Sequence, residues 1–183
     1  PKTVFVNAAG CMTLLAVYPF TPFRGSWLYT AMASAPAGAQ GIRDALDILI
    51  EQQRLPAAED LQVVVLTGDG AAYGMGLSST SGAKERELDF IYICYDKEGY
   101  GNTGQQFYGE TPKSARNSTS TGPHGIAGYN KDLYSISAAH KPTYVPTLIA
   151  AETLYLARTV EKAINLKGPR MLIALAPCAT GWD

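Results

Sequence analysis

The chain has 183 residues, 46% hydrophobic and 17% charged, with a formal net charge of −1. That length suits one domain with a sizeable core and is short for two, and near-neutrality with interspersed signs argues against nucleic acid or an anionic membrane as the main partner. The small charged fraction points to a surface covered in part by partner subunits.

No apolar run approaches the roughly 18–20 residues needed to span a bilayer, and no signal peptide is visible. Three cysteines, Cys11, Cys94 and Cys178, are too few and too scattered for a disulfide framework, which fits a reducing, cytoplasmic compartment. Cys94 lies inside an apolar run and reads as a core thiol, whereas Cys11 and Cys178 sit at segment ends beside Gly or Pro.

In chain order, Pro1 to Val6 reads as an interior strand, with Val4–Val6 its apolar part, and the chain as a piece of a longer polypeptide. Residues 18–25 are rich in proline and aromatics and read as a loop. Ile42, Leu46, Leu49 and Ile50 recur at helical spacing and predict a helix over 36–53, its small residues Gly38, Ala39 and Gly41 suited to close packing. Residues 61–66 form the strongest predicted strand, apolar on both faces and so buried in a parallel sheet. A helix over 75–87 and a strand over 90–95 follow.

Residues 105–130 show no periodicity, and a loop of that length is usually functional or covered by a partner. Beyond it the pattern predicts a helix over 131–139, a strand over 143–145, a helix over 150–166 and a last strand over 171–175. Alternating strands and helices predict one α/β domain over 1–183, with a mostly parallel sheet in three layers.

Ligands of such sheets bind beyond the carboxyl ends of the strands. Three strands end in suggestive turns: Gly68-Asp69-Gly70, Asp96 to Gly104, and Ala176-Pro177-Cys178. A carboxylate between two glycines lets backbone approach a phosphate while an oxygen holds Mg²⁺, a cation that commonly bridges carboxylate to diphosphate. Alone, Gly-Asp-Gly is an ordinary turn. Set as strand, Gly-Asp-Gly, helix, strand and polar turn, it resembles the diphosphate-binding motif of thiamine-diphosphate enzymes.

The flanking residues narrow the resemblance. The run from Ile91 to Gly104 is similar to the beta-subunit signature of pyruvate:ferredoxin oxidoreductases, typically Asp-Asn-Glu-x-Tyr-x-Asn-Thr-Gly. Asn7-Ala8-Ala9-Gly10-Cys11 resembles that family's Asn-Ala-Thr-Gly-Cys, and residues 18–24 its aromatic cofactor loop. Thr111-Pro112, Ala138-Ala139-His140 and 176–182 match further segments in the family's order. The chain thus resembles the thiamine-diphosphate-binding domain of 2-oxoacid:ferredoxin oxidoreductases, the pyruvate-oxidising type above others.

The resemblance implies oxidative decarboxylation of a 2-oxoacid with coenzyme A, or the reverse, with electrons passing through [4Fe–4S] clusters to ferredoxin. It makes Asp69 and the Gly99 carbonyl Mg²⁺ ligands and sets Gly10, Cys11, Gly68, Gly70, Lys97 and Tyr100 around the cofactor. Asn102 would lie at substrate and thiazolium with Thr103 supporting it, and Cys11 and Cys178 would ligate a [4Fe–4S] cluster. It further implies a pyrimidine-domain (alpha) subunit carrying the activating glutamate, and ferredoxin-like gamma and delta subunits or domains.

Two departures stand out. The family's upstream Cys-x-x-Cys is absent, so either another segment supplies it or the cluster is missing. Lys97 stands where the family has Asn or Thr; it has no acceptor oxygen and repels Mg²⁺. It either turns onto a diphosphate oxygen or weakens metal binding. Alternatives are another 2-oxoacid (phenylglyoxylate, branched-chain, oxalate), a non-redox decarboxylase, or a non-catalytic pseudo-subunit. His140 reads as a capping or solvated histidine and His124 as a loop residue. Arg24 suits a phosphate or an ion pair, Trp27 and Tyr29 an interface or the core.

Overall fold

A computed structural model describes residues 2–56, 61–122 and 124–182. Pro1 of the expected first strand and Pro123 of the long loop lie outside them. Six parallel strands form one sheet in the order β2-β1-β3-β4-β6-β5.

β1 (Thr3–Ala8) and β3 (Gln62–Gly68) lie side by side near the middle, followed by β4 (Phe90–Asp96). Their β-branched and aromatic residues are buried on both faces: Val6, Val63, Val65, Phe90 and Tyr92 on one, Ile91 on the other. That burial is why these runs carry no polar alternation. The chain leaves β1 in one direction to β2 and returns to β3 on the other side, which puts the sheet's switch point between the carboxyl ends of β1 and β3.

The first core face is covered by α2 (Ala35–Glu51), α3 (Leu77–Glu85) and α4 (Leu133–Ala138), the second by α5 (Thr153–Ile164). This is the expected three-layer α/β fold with a parallel sheet. α2 starts with Pro36 in its first turn, where the missing N–H costs nothing, and buries Ala35 and Ala39.

Four elements depart from the predicted ones. β2 (Ser26–Thr30) pairs with β1 at the sheet edge, where Trp27 stacks on Phe5 at 5.3 Å and meets Phe23 at 4.8 Å. Only its aromatic and β-branched content marked it, and the preceding prolines masked that signal. A short helix, α1 (Thr13–Ala16), lies just after β1.

The expected strand over 143–145 is displaced: β5 runs Thr147–Ile149. Tyr144 makes only an isolated bridge to Arg170, and Pro146 has no N–H to continue a ladder, so regular pairing with β6 (Pro169–Leu175) begins after it. The helix predicted from residue 75 starts at Leu77, because Gly70–Gly74 forms a π-helical turn first.

Candidate functional site

A cavity of about 310 Å³ opens beyond the carboxyl ends of β1, β3 and β4, at the switch point. Eight predicted site residues line it: Gly10, Cys11, Gly68, Gly70, Lys97, Tyr100, Asn102 and Thr103. Asp69, Gly99 and Cys178 lie just behind this lining. All three strand-end turns singled out in the sequence therefore meet at one end of the sheet.

Asp69 is fully buried at the end of β3. Its Oδ1 accepts from Lys97 Nζ at 3.0 Å and its Oδ2 from the Gly99 N–H at 3.1 Å. The two flanking glycines are needed for close approach. A Cβ at Gly68 would come within 2.5 Å of the Lys97 ammonium, and one at Gly70 would run into the Tyr100 ring. The Met75 N–H closes the π turn on the Gly70 carbonyl at 2.9 Å. Such a turn is a common device at functional sites.

The turn after β4 is held by its own backbone. Glu98, at φ 59°, donates its N–H to Asp96 Oδ1 at 3.0 Å, and its carbonyl accepts from Thr111 Oγ1 at 2.7 Å. From behind, Trp182 Nε1 donates to the Lys97 carbonyl at 2.9 Å. Asn102 and Thr103 are exposed on the cavity rim. Thr103 Oγ1 donates to the Tyr100 carbonyl at 3.3 Å and to Gln106 Oε1, which ties the turn beneath Asn102.

The expected Mg²⁺ ligands do not fit a divalent cation. Lys97 occupies one Asp69 oxygen with a positive charge, and a backbone N–H occupies the other. The Gly99 carbonyl accepts from the Gly101 N–H at 3.0 Å. A Mg²⁺ octahedron takes hard oxygens, and lysine has none to give.

Cys11 lines the cavity, and Cys178 sits against Gly101 of the β4 turn, where a Cβ would come within 3.0 Å of its Sγ. The Cys178 thiol is held below its ordinary pKa, first by a hydrogen bond with Thr180 Oγ1. Easier thiolate formation suits metal ligation. Cys94 is fully buried in β4, as expected of a core thiol. Among the described residues no group of three or more Cys, His, Asp and Glu is arranged to hold a metal.

Some site residues carried no signal in the motif. Tyr95 lines the cavity, accepts from the Met12 N–H at 3.5 Å and lies under Lys97, whose Nζ is 4.8 Å from the ring centre. Its position as the next-to-last residue of β4 was the only available clue. Burial pushes its phenol well above the ordinary range.

A second cavity of about 390 Å³ lies beyond β4, β5 and β6, lined by Asp96, Glu110 and Lys131 among others. Burial, then the charge of Asp69, raises the Asp96 carboxyl to about 6. Burial, then the charges of Asp96 and Asp69, raises Glu110 to about 8. Neither acid stood out as titratable in the sequence. His140 lines neither of these cavities, with Nε2 2.7 Å from Ser81 Oγ and Nδ1 3.0 Å from the Ile136 carbonyl. Arg24 and His124 are exposed and outside both linings.

A fully parallel sheet with a cavity at its switch point, framed by Gly-Asp-Gly, is the architecture of a cofactor-binding α/β domain. Residues 8–174 match the family model described as "Thiamine pyrophosphate enzyme, C-terminal TPP binding domain", and the chain belongs to that family. It is 38% identical over 184 residues to pyruvate synthase subunit PorB of Methanocaldococcus jannaschii, covering 98% of this chain and 62% of that one. Ketoisovalerate oxidoreductase subunit VorB of Pyrococcus abyssi is 33% identical over 185 residues, covering 99% and 59%.

Among solved structures, 2-oxoglutarate:ferredoxin oxidoreductase from Magnetococcus marinus, with 2-oxoglutarate, coenzyme A and succinyl-CoA bound, superposes with a TM-score of 0.84. It shares 19% identity and covers 100% of this chain and 56% of its own. These relatives bear out the resemblance to beta subunits of 2-oxoacid:ferredoxin oxidoreductases. The chain spans between 52% and 62% of the length of the curated relatives it matches.

Proposed function

We propose that the chain is the thiamine-diphosphate-binding part of a 2-oxoacid:ferredoxin oxidoreductase, acting on pyruvate with coenzyme A. The observation that carries this reading is the cavity between Gly68-Asp69-Gly70 and the turn from Asp96 to Gly104 at the switch point of the sheet. The kinship to PorB subunits favours pyruvate.

When bound, thiamine diphosphate supplies the carbon nucleophile for the 2-keto carbon and accepts the electron pair left as CO₂ departs. The chain supplies position. Gly68 and Gly70 allow backbone close to the diphosphate, and Lys97 brings a positive charge to it. Asn102 presents its amide on the rim where substrate enters, with Thr103 fixing the turn beneath it. Leu14 and Met32 make part of the wall apolar, which lowers the local dielectric around the reacting groups.

The domain is incomplete as a catalyst. Leu14 and Tyr29 line the cavity yet are 65% and 50% exposed, and Tyr18 and Phe20 nearby are more than half exposed. A pyrimidine-domain (alpha) subunit would cover this rim and bring the activating glutamate. Cys11 and Cys178 are two thiolates for a cluster that needs four. The other two would come from sequence outside this chain, with ferredoxin-like gamma or delta modules carrying electrons on to ferredoxin in the cytoplasm.

Cofactor analysis of the anaerobically purified complex tests this. Thiamine diphosphate and iron are expected together, and Cys178→Ser should lower iron and sulfide while leaving thiamine diphosphate in place. Thiamine diphosphate without iron would redirect the reading to a non-redox decarboxylase. Absence of both would leave a non-catalytic subunit.

A further inference from the structure

We propose that the Lys97 ammonium takes the place of the divalent cation, so that this site holds thiamine diphosphate without Mg²⁺. This rests on the cofactor reading above and concerns how the diphosphate is bound.

The geometry gives Lys97 a fixed post. Its Nζ is 3.0 Å from Asp69 Oδ1, a fully buried carboxylate at the end of β3. It lies 4.8 Å from the centre of the Tyr95 ring, a favourable position for a cation. It also fills the space above Gly68 that any larger residue would close. The Trp182 indole pins its carbonyl, and its side chain is only 12% exposed. The ammonium is therefore held at the cavity wall by contacts on several sides.

An ammonium has three donors. Asp69 Oδ1 is the acceptor that takes one, and Lys97 lines the cavity, so its remaining donors are available to phosphate oxygens. A divalent cation at Asp69 would meet a like charge 3.0 Å from its own ligand and would find no side-chain oxygen at position 97.

The charge balance differs as well. Asp69 with a divalent cation would present one net positive charge to the diphosphate, whereas Asp69 with Lys97 presents none. The lysine form gives up some attraction and gains independence from free metal. A rigid cation already paired in the folded chain also needs no ion capture before the cofactor binds.

The test is titration of thiamine diphosphate into the assembled complex carrying this chain, stripped of cofactor, in excess EDTA and again in Mg²⁺. Calorimetry and quenching of intrinsic fluorescence serve as readouts. The wild-type dissociation constant should agree between the two conditions within about twofold. Lys97→Asn restores a side-chain oxygen and should become metal-dependent, losing at least about tenfold in EDTA and regaining affinity in Mg²⁺.

Wild-type binding only in Mg²⁺ would overturn the inference while leaving the thiamine-diphosphate reading intact. A Lys97→Asn variant as indifferent to metal as the wild type would overturn it too, since another group would then neutralise the diphosphate. If the variant does not fold, the wild-type comparison decides alone. No binding of thiamine diphosphate in either condition would overturn the function proposed above and this inference with it.

Discussion

Glu110 holds a proton that its type rarely keeps. Buried beside the second cavity, with Oε2 unpartnered, it is raised to about 8 by burial and by the charges of Asp96, Asp69 and Glu98. Its folded pKa is above the ordinary value, so the folded state binds more protons than the unfolded one. The contribution to stability is complete below the ordinary carboxyl range and is lost as pH rises through about 8. The melting temperature should therefore fall between about pH 5 and 8, and Glu110→Gln should flatten that fall. An unchanged slope in the variant would place the titration elsewhere.

At the site, individual residues were legible because their chemistry is tied to sequence order. Gly68-Asp69-Gly70 and the turn from Asp96 to Gly104 were visible as strand ends. What they would do to one another was not. The Lys97 to Asp69 ion pair spans 28 positions, and only the parallel register of β3 with β4, Gly68 opposite Tyr95, brings those turns together.

Among the elements, helices and strands with strong periodicity or apolar runs followed their local pattern: α2, β3, β4, α5 and β6. The deviations have local physical causes. β5 waits for Pro146 to pass, β2 gains its place from pairing with β1, and the π turn replaces the expected first turn of α3.

α4 is a shorter case, six residues capped by Asp132, whose side chain accepts the Ser135 N–H at 2.9 Å. Asp132→Ala should weaken the start of α4, seen as a lower midpoint in chemical denaturation of the complex and as faster amide exchange in α4. An exchange rate equal to wild type would mean that the tertiary contacts of Leu133 and Ser137 hold the helix without its cap.

For the molecule as a whole, the small charged fraction predicted a covered surface, and an exposed apolar run beginning at the main cavity is the candidate for that cover. Leu14, Val17, Tyr18 and Phe20 form this exposed run. Single exposed apolar residues are ordinary, but a run of them that starts at Leu14 in the cavity lining suits an interface. Leu14→Asp with Phe20→Asp should weaken assembly with the proposed alpha subunit by about tenfold or more, because burying a carboxylate in an apolar contact is costly. Native mass spectrometry would measure it, with unchanged circular dichroism as the control. Full assembly of the double variant would move the interface to another face.

By itself the sequence determined the α/β class, the parallel sheet, the family and the strand-end turns that make the cavity. These follow from runs of apolar residues and from glycines that must sit where backbone comes close, both local properties of the chain. Only the tertiary structure decided that Lys97 lands on Asp69, that Trp182 braces it from behind, and that Glu110 lines one cavity with Asp96. Those outcomes depend on through-space distances between residues far apart in order, set by the sheet's register and by which side chains its packing excludes from water.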